Sequence, residues 1–405
     1  MSVPPTLFTQ AAPGTVVEVF KAFLWLGLTA FGGPVAHLAY FREEFVQRRQ
    51  WLDDSSYADL VALCQFLPGP ASSQVGIALG KGRAGWLGAL AAWVGFTLPS
   101  AALLVACAVG LQQWAGFAQS GAVQGLKLAA VAVVAQAVWG MAKTLCPDRQ
   151  RAGMALTAAL LVLALPSSMG QILAIALAGV AGLFWLRPAP VPVHTQWSLP
   201  PKHRGKTAGA LLLLVFALLL LLSMVPFSSL WLKQVAAFYE AGALVFGGGH
   251  VVLALLQTAV VPEGWVQGDA FIAGYGLAQA VPGPLFTFAA YLGALMPGWT
   301  GNWMGALALL VAVFLPGALL VLGALPFWES LRRRLGVQRA MAGANAAVVG
   351  VLLAALYDPL WTTAIHSGLD FGIALAAFGL LVYGRQPPLR VVALAAVAGW
   401  VLLGA

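Results

Sequence analysis

The chain has 405 residues, of which 61% are apolar and only 8% are charged. A soluble globular protein carries roughly 25% charged residues, so a single soluble core is excluded. The net charge of +8 comes from short basic clusters between apolar runs, without a basic face interleaved with aromatic residues, and this argues against nucleic-acid binding.

The cysteines and the N-terminal segment further limit the kinds of protein that this sequence can encode. The cysteines Cys64, Cys107 and Cys146 lie far apart and form no CxxC or Cys/His cluster, so we expect no disulfide, no metal site and no cofactor. The N-terminus lacks a basic segment before a short apolar core, so we expect no cleaved signal peptide. Apolar runs recur instead from residue 15 to residue 404. At about 20 residues per crossing, the chain has room for on the order of ten membrane helices.

The first apolar stretch contains a motif that returns in the second half of the chain. Phe31-Gly32-Gly33 is matched by Phe246-Gly247-Gly248, and other matches follow at a nearly constant spacing of about 215 residues. These other matches are Trp51 with Trp265, Pro68-Gly69-Pro70 with Pro282-Gly283-Pro284, and Leu98-Pro99 with Leu315-Pro316. We therefore predict two homologous repeats, 15–187 and 230–404, joined by a basic linker plus a connecting transmembrane helix at 188–229.

The charges predict that the two repeats have opposite orientations. Segment 42–49 carries three arginines, whereas its counterpart at 261–269 carries acidic residues but no Lys or Arg. Segment 112–120 is uncharged, whereas its counterpart at 332–339 carries four arginines. Lys and Arg are held on the cytoplasmic side of a membrane, so these reversals indicate inverted repeats, as in many transporters. On this prediction the N-terminus is cytoplasmic and the C-terminus periplasmic.

Inversion across one connecting helix requires that each repeat cross the membrane an even number of times. Four long crossings are visible in each repeat, at 84–111, 121–143, 152–165 and 170–186, and at 301–328, 340–357, 371–384 and 388–404. The remaining apolar stretches are interpreted as re-entrant hairpins with Gly- and Pro-rich tips, and full crossings by some of them are the alternative. The predicted fold is an all-α integral membrane protein with two inverted-topology homologous repeats, broken re-entrant helical hairpins and a connecting transmembrane helix.

The helix breaks at the hairpin tips carry the predicted chemistry. Proline lacks an N–H and glycine weakens a helix, so the half-helices that follow the tips begin with free N–H groups that attract anions. The alternative is that these residues only pack or kink the helices. Within the set, the two glutamines either cap freed backbone groups, which we favour, or touch the ligand. The predicted substrate-binding residues are Gly32, Gly33, Pro34, Gln65, Pro68, Gly69, Pro70, Ser72 and Ser73 in the first repeat, and Gly247, Gly248, Gly249, His250, Gln279, Pro282, Gly283, Pro284 and Thr287 in the second.

Ionisable residues within apolar stretches are a second set of candidates, because charge is costly in a membrane and usually functional there. Lys127 either attracts the anion, as a further substrate-binding residue, or extends to the membrane interface. His250, Glu240, His37 and Asp59 are candidates for coupling protons to transport. The alternative is that the histidines are structural and that the acidic residues lie at the surface.

These motifs resemble those of the chromate ion transporter family. The resemblance rests on Phe-Gly-Gly-Pro at 31–34, Gln-x-x-Pro-Gly-Pro at 65–70, Phe-Gly-Gly-Gly-His at 246–250 and the second Pro-Gly-Pro at 282–284. The two-repeat length resembles the long-chain members. The resemblance implies export of chromate across the cell inner membrane, driven by the membrane potential or a proton gradient, and chromate resistance.

The residues alone predict an inverted-repeat transporter of a small anion that works by alternating access; chromate follows only from the resemblance. One alternative is a transporter or channel for another oxyanion, such as sulfate, which is also a tetrahedral dianion. An intramembrane enzyme or scaffold is the alternative from a different class, and the chain has no His-Glu-x-x-His or Gly-x-Ser-x-Gly motif that would favour an enzyme. The expected partners are a small oxyanion and the lipid bilayer, with no nucleic acid and with a homodimer left open.

Overall fold

A computed structural model describes residues 14–31, 33–113, 120–165, 168–187, 204–245, 251–298, 303–328 and 334–403 of the chain. Every regular element within these ranges is helical. The α-helices are, in chain order, α1 Val16–Thr29, α2 Gly33–Phe41, α3 Asp54–Phe66, α4 Ala71–Gln113, α5 Gly121–Leu145, α6 Arg149–Ala164, α7 Ser168–Trp185, α8 Arg204–Ser223, α9 Leu230–Ala243, α10 Val251–Val260, α11 Gly268–Ala280, α12 Phe288–Leu295, α13 Trp303–Ala324, α14 Leu335–Ala355, α15 Gly368–Val382 and α16 Pro388–Leu402. Short π-helical segments, Arg42–Arg48 and Leu356–Trp361, continue α2 and α14.

Five of the described helical stretches are long and apolar enough to cross a membrane. They are Ala71–Gly110, Gly121–Leu145, Gly205–Ser223, Trp303–Phe327 and Leu335–Ala364. Together with shorter apolar helices such as α7, α10, α15 and α16, they confirm the predicted all-α membrane protein.

Four of the predicted crossings are formed by helices shorter than a typical membrane crossing. They are formed by α6, α7, α15 and α16, which have 16, 18, 15 and 15 residues, whereas a crossing needs about 20. Capping residues set where three of these helices begin. Asp148 and Ser367 accept backbone N–H groups at the starts of α6 and α15, and Pro388 opens α16.

The chain of the first repeat leaves one end of the molecule twice. Each time it runs to a Gly- and Pro-rich tip and returns to that end. At that end the Arg83 guanidinium lies 3.1 Å from a carboxylate oxygen of Glu18 and over the Trp51 ring, 5.3 Å from its centroid. Between the end and the first tip, the Phe23 ring of α1 packs edge-on against Phe41 of α2 at 5.4 Å. These contacts describe two successive hairpins, α1–α2 and α3–α4.

Helix α4 is not one straight rod. Gly85 has φ +67°, a left-handed conformation that suits glycine, and Ala84 also leaves the helical region, so the chain reverses there. Gly80 and Gly88 on either side of the break touch so closely that neither has room for a side chain. α4 therefore consists of two antiparallel arms, a first arm at 71–83 and a second arm at 86–113.

The second repeat is packed in the same way. Gly298 has φ +85° at the position that matches Gly85, and Gly293 before it packs on the backbone of Ala306 after it. Gly242 of α9 lies against the Val313 carbonyl of α13. Gly27 of α1 lies in the same way against the second arm of α4. Glycine at these sites lets two helix backbones approach each other closely.

The later helices join the two repeats reciprocally. Gly125 of α5 packs on Gly399 of α16, whereas Gly343 of α14 packs on Gly182 of α7. Each repeat therefore buries the helix that follows its proline-containing helix against the last helix of the other repeat. Orientation relative to the membrane sides stays a prediction that rests on the charges.

The connecting helix α8 lies at the periphery. Almost all of its residues are at least partly exposed, and leucines such as Leu211, Leu218 and Leu221 are among the exposed ones. Gly209 near its start touches Gly323 of α13. A helix with such an apolar exposed surface is suited to face lipid.

Candidate functional site

The two Pro-Gly-Pro turns lie where the repeats meet. The Gly69 amide donates to the carbonyl of Val245, just after α9, at 2.6 Å. The Gly283 amide donates to the carbonyl of Ala30, just after α1, at 2.9 Å. Each turn of one repeat is thus hydrogen-bonded to the first helix of the other, and the two bonds are related by the repeat.

Both turns need glycine at their centres. Gly69 and Gly283 have φ values of +122° and +99°, which a residue with a side chain rarely adopts. A Cβ atom on Gly69 would lie 3.1 Å from the Cα of Gly317, and one on Gly283 would lie 2.8 Å from the Ser100 hydroxyl. Each turn therefore fits against the proline-containing helix of the other repeat, next to Pro316 or Pro99.

Gln74 closes the first turn, a role that sequence analysis missed. Its side-chain amide donates to the carbonyls of Pro68 at 2.9 Å and of Gly317 at 3.2 Å, and the residue is fully buried. Gln65, which we favoured as a cap, lies exposed in α3, and Gln279 is half-buried in α11. A glutamine on the half-helix after the turn was the signal available in the sequence, but the sequence shows neither its burial nor its partner.

His37 joins the first turn region to the second turn. Its Nε2 lies 3.2 Å from the Ala30 carbonyl, the same carbonyl that accepts from Gly283, and its Nδ1 lies 3.4 Å from the Ser72 hydroxyl. A carbonyl oxygen can only accept, so Nε2 carries the proton. In the neutral ring Nδ1 is then an acceptor for Ser72, and the buried His37 acts as a bridge between α1, α2 and α4.

The first arm of α4 begins with free amides and a free hydroxyl. Gln74 makes the first intrahelical bond, to Pro70 at 2.9 Å, so the N–H groups of the three residues before it lie at an open helix end. Ser73 there is only 3% exposed, and its hydroxyl has no hydrogen-bond partner within the described part of the chain. Buried hydroxyls without a protein partner are uncommon and are typical of a position that a ligand or water occupies.

The matching end of the second repeat is apolar and closed. Leu285, Phe286 and Phe288 stand where the first repeat has Ala71, Ser72 and Gln74, and all three are buried. Thr287 matches Ser73, but its hydroxyl donates to the Pro284 carbonyl at 2.7 Å. The two tips are therefore alike in backbone and unlike in polarity.

The other ionisable candidates lie on α5, α3 and α9 rather than in the turns themselves. Lys127 donates to Asp269 of α11 at 2.6 Å, with exposed side-chain fractions of 9% and 65%, an ion pair between the repeats that sequence analysis did not predict. Asp59 is half-buried in α3, and Glu240 is half-buried in α9. The predicted roles of Lys127, Asp59 and Glu240 in anion binding or proton coupling stay predictions.

The remaining predicted site residues surround the two tips. Gly33, with φ +79°, and Pro34 open α2, and Pro282 and Pro284 flank Gly283. Gly32 and the segment Gly247–His250 lie outside the described residues, so their predicted roles are unchanged. Within the described residues, no group of three His, Cys, Asp or Glu side chains could hold a metal ion.

A family model and several known proteins that resemble this chain all indicate the same family. The family model described as chromate transporter matches residues 17–183 and again 232–400. A chromate transport protein of Pseudomonas aeruginosa is 29% identical, over 99% of this chain and 94% of its own length. A probable chromate transport protein of Synechococcus elongatus is 27% identical over 94% of each chain, and a chromate transport protein of Cupriavidus metallidurans is 27% identical over 84% of this chain and 82% of its own. No solved structure matches the chain.

Proposed function

The chain belongs to the chromate transporter family, and from this we propose that it is a secondary active transporter that exports chromate from the cytoplasm and confers chromate resistance. The membrane potential or a proton gradient supplies the energy. The protein lies in the cell inner membrane as two inverted repeats, 15–187 and 230–404, with its N-terminus cytoplasmic and its C-terminus periplasmic. It carries out transport rather than enzymatic chemistry, and its assembly as a homodimer stays open.

The observation that carries this proposal is the open helix end after the first Pro-Gly-Pro turn. There the amides of Ala71, Ser72 and Ser73 and the buried Ser73 hydroxyl, which has no partner in the described residues, lie at the junction of the two repeats. A helix N-terminus favours negative charge through its dipole and its unused donors. A tetrahedral oxyanion can accept several such donors at once, and no metal is needed.

The binding of one anion in the first repeat is the simplest assignment. The matching helix end of the second repeat presents Leu285 and Phe286, and its one hydroxyl, on Thr287, is already bonded to Pro284. An ion placed there would lose its water against apolar side chains and gain no hydroxyl donor, which is unfavourable. The second turn instead serves as the structural partner of the first.

Alternating access follows from the reciprocal bonds between the turns and the first helices. Only the two backbone bonds Gly69–Val245 and Gly283–Ala30, together with the Gln74 bond to Gly317, join the turns to the other repeat by hydrogen bonds in the described residues. When the hairpins shift relative to the other repeat, these bonds break and the anion site opens to the other side. An inside-negative potential contributes about 2.3 kcal/mol per charge per 100 mV, which for a dianion strongly favours release outside.

Chromate uptake into everted membrane vesicles tests the proposed function. Vesicles that contain the protein should accumulate chromate when energised, and a protonophore together with a permeant ion should abolish this uptake. An excess of sulfate should compete, because both are tetrahedral dianions and the site recognises shape and charge. Energised vesicles with verified protein but no chromate uptake would rule out chromate as the substrate, and a sulfate uptake in the same vesicles would support the alternative oxyanion transporter.

A further inference from the structure

A cavity of about 330 Å³ lies apart from the two turns, along one face of α9. Its walls come from α9, from α10 and the loop after it, and from the segment between α8 and α9. Its lining residues on α9 are Lys233, Ala236, Ala237, Glu240, Ala241 and Leu244. Positions three and four apart share one face of a helix, so the cavity is a groove that follows α9 lengthwise.

The groove runs from the start of α9 to Leu244, the residue before the partner of the first Pro-Gly-Pro turn. Lys233 and Leu244 are eleven residues apart, which corresponds to about 16 Å along a helix. Leu244 precedes Val245, whose carbonyl accepts the Gly69 amide at 2.6 Å. Glu240 lies one helical turn before Leu244, about 6 Å from it along the axis. The groove therefore brings Glu240 to within about one and a half helical turns of the hydrogen bond between the two repeats.

The charge in the groove does not suit an anion. Besides Glu240, the charged side chains that line it are Lys233 at the start of α9 and Glu263 after α10. Two carboxylates face one ammonium group, so a dianion would meet a net negative wall. Thr258 contributes a hydroxyl, but it donates to the carbonyls of Ala254 and Leu255 in its own helix.

We propose that this groove is the entry path for protons from the outside and that Glu240 is the group that binds them. The proposal rests on the proposed function, since it names the ion that is exchanged for the exported anion. A proton is the one cation that a single half-buried carboxylate binds without a cage of oxygen ligands. When Glu240 takes up a proton, one negative charge disappears beside the turn, and when it releases the proton on the other side the charge returns.

The groove belongs to the second repeat alone. Trp25 takes the place of Glu240 in the first repeat, and its side chain is 60% exposed. One groove wall, 223–227, comes from the segment that connects the repeats and has no counterpart in the first. The anion is therefore captured at the first turn, whereas protons enter along the second repeat. The Gly69–Val245 hydrogen bond lies between these two places.

Chromate flux into proteoliposomes under two separate driving forces tests the proposal. A gradient of one pH unit coupled to one proton changes the accumulation ratio about tenfold. We expect Glu240→Gln to lose this response to pH while it keeps flux driven by a potassium diffusion potential at equal pH, and Glu240→Asp to restore the response. The exposed carboxylate variant Glu43→Gln serves as the control and should respond as the unmodified protein does. A Glu240→Gln protein that keeps the full response to the pH gradient would overturn the proposal.

A labelling experiment without substrate separates this proposal from the proposed function. In a chain with its three native cysteines replaced by alanine, Glu240→Cys should react with a membrane-impermeant thiol reagent added from the periplasmic side. Trp25→Cys, at the repeat-related position outside the groove, should not react from that side. A Glu240→Cys protein that is inert from the periplasmic side would contradict the entry path, whether or not the protein carries chromate. A reactive one supports the path even if the transported anion proves to be another.

Discussion

The two Pro-Gly-Pro turns have similar backbone conformations, but the side chains that follow them differ. Gly69 and Gly283 both adopt positive φ, and each donates to the end of the first helix of the other repeat. The half-helix after the first turn begins with the polar side chains of Ser72, Ser73 and Gln74, whereas buried Phe286 and Phe288 replace Ser72 and Gln74 after the second turn.

In a protein with two repeats, this difference means that both turns can have the same structural role while only one of them binds the anion. The reciprocal backbone bonds need only the turn geometry, so any side chains that tolerate it will keep the repeats joined. Anion binding needs donors that have no other partner, and only one copy has to supply them. The second copy can then fill its tip with apolar groups, which stabilise the interface by burial.

The largest expected effect comes from breaking either turn. Gly69→Ala and Gly283→Ala each force a side chain into positive φ and into close contact with the other repeat, and each should lower the free energy of unfolding by about 1–3 kcal/mol. Thermal unfolding of the purified protein in detergent measures this. Gly140→Ala is the control, since it lies in α5 with no atom within 4 Å of an added Cβ. If either turn variant unfolds like Gly140→Ala, the turns are not the rigid joints described here.

The next largest effect concerns the hydrogen bonds by which the Gln74 side chain closes the first turn. Gln74→Leu leaves the Pro68 and Gly317 carbonyls without their donor, so the free energy of unfolding should fall by about 1–3 kcal/mol. Gln65→Leu is the matched control and should change stability little, because Gln65 is exposed. The same unfolding assay applies, and equal effects in the two variants would argue against a specific role for Gln74.

A functional comparison of the two tips sharpens the assignment of the anion site. Ser73→Ala removes one donor worth about 1 kcal/mol, so the KM for chromate should rise roughly fivefold. Thr287→Ala, at the matching position, should alter unfolding rather than KM, because its hydroxyl is bonded to Pro284. Initial rates in everted vesicles over a range of chromate concentrations decide between them. A KM that rises only in Thr287→Ala would place the site in the second repeat.

The smallest expected effect is at the ion pair between the repeats. Asp269 is 65% exposed, so solvent screens the pair, and Asp269→Asn should cost less than about 1 kcal/mol of unfolding free energy. Combining it with Lys127→Met in a double-mutant cycle gives the coupling energy. A KM for chromate that rises in Lys127→Met but not in Asp269→Asn would instead support the predicted attraction of the anion by Lys127.

Sequence reasoning succeeded where the signal was local. The all-α membrane fold follows from composition and from apolar runs along the chain, whereas the positive φ values of the turn glycines and the breaks at Gly85 and Gly298 were found only in the structure. It missed Gln74 because Gln65 and Gln74 are both glutamines on apolar helices, and only the tertiary structure decides which of them is buried. It did not predict the Lys127–Asp269 pair because the two residues are 142 positions apart.

The amino-acid sequence by itself determined that the protein is an all-α membrane protein, where its motifs repeat and where its helices break, because composition, period and Gly or Pro act within one helix. Only the tertiary structure decided that each turn is bonded to the other repeat, that the first tip keeps a free Ser73 hydroxyl and that the Thr287 hydroxyl is used. These outcomes depend on which groups meet across the interface. Gln74 and Gly317, for example, are 243 positions apart, and nothing in either local pattern names the other as its partner.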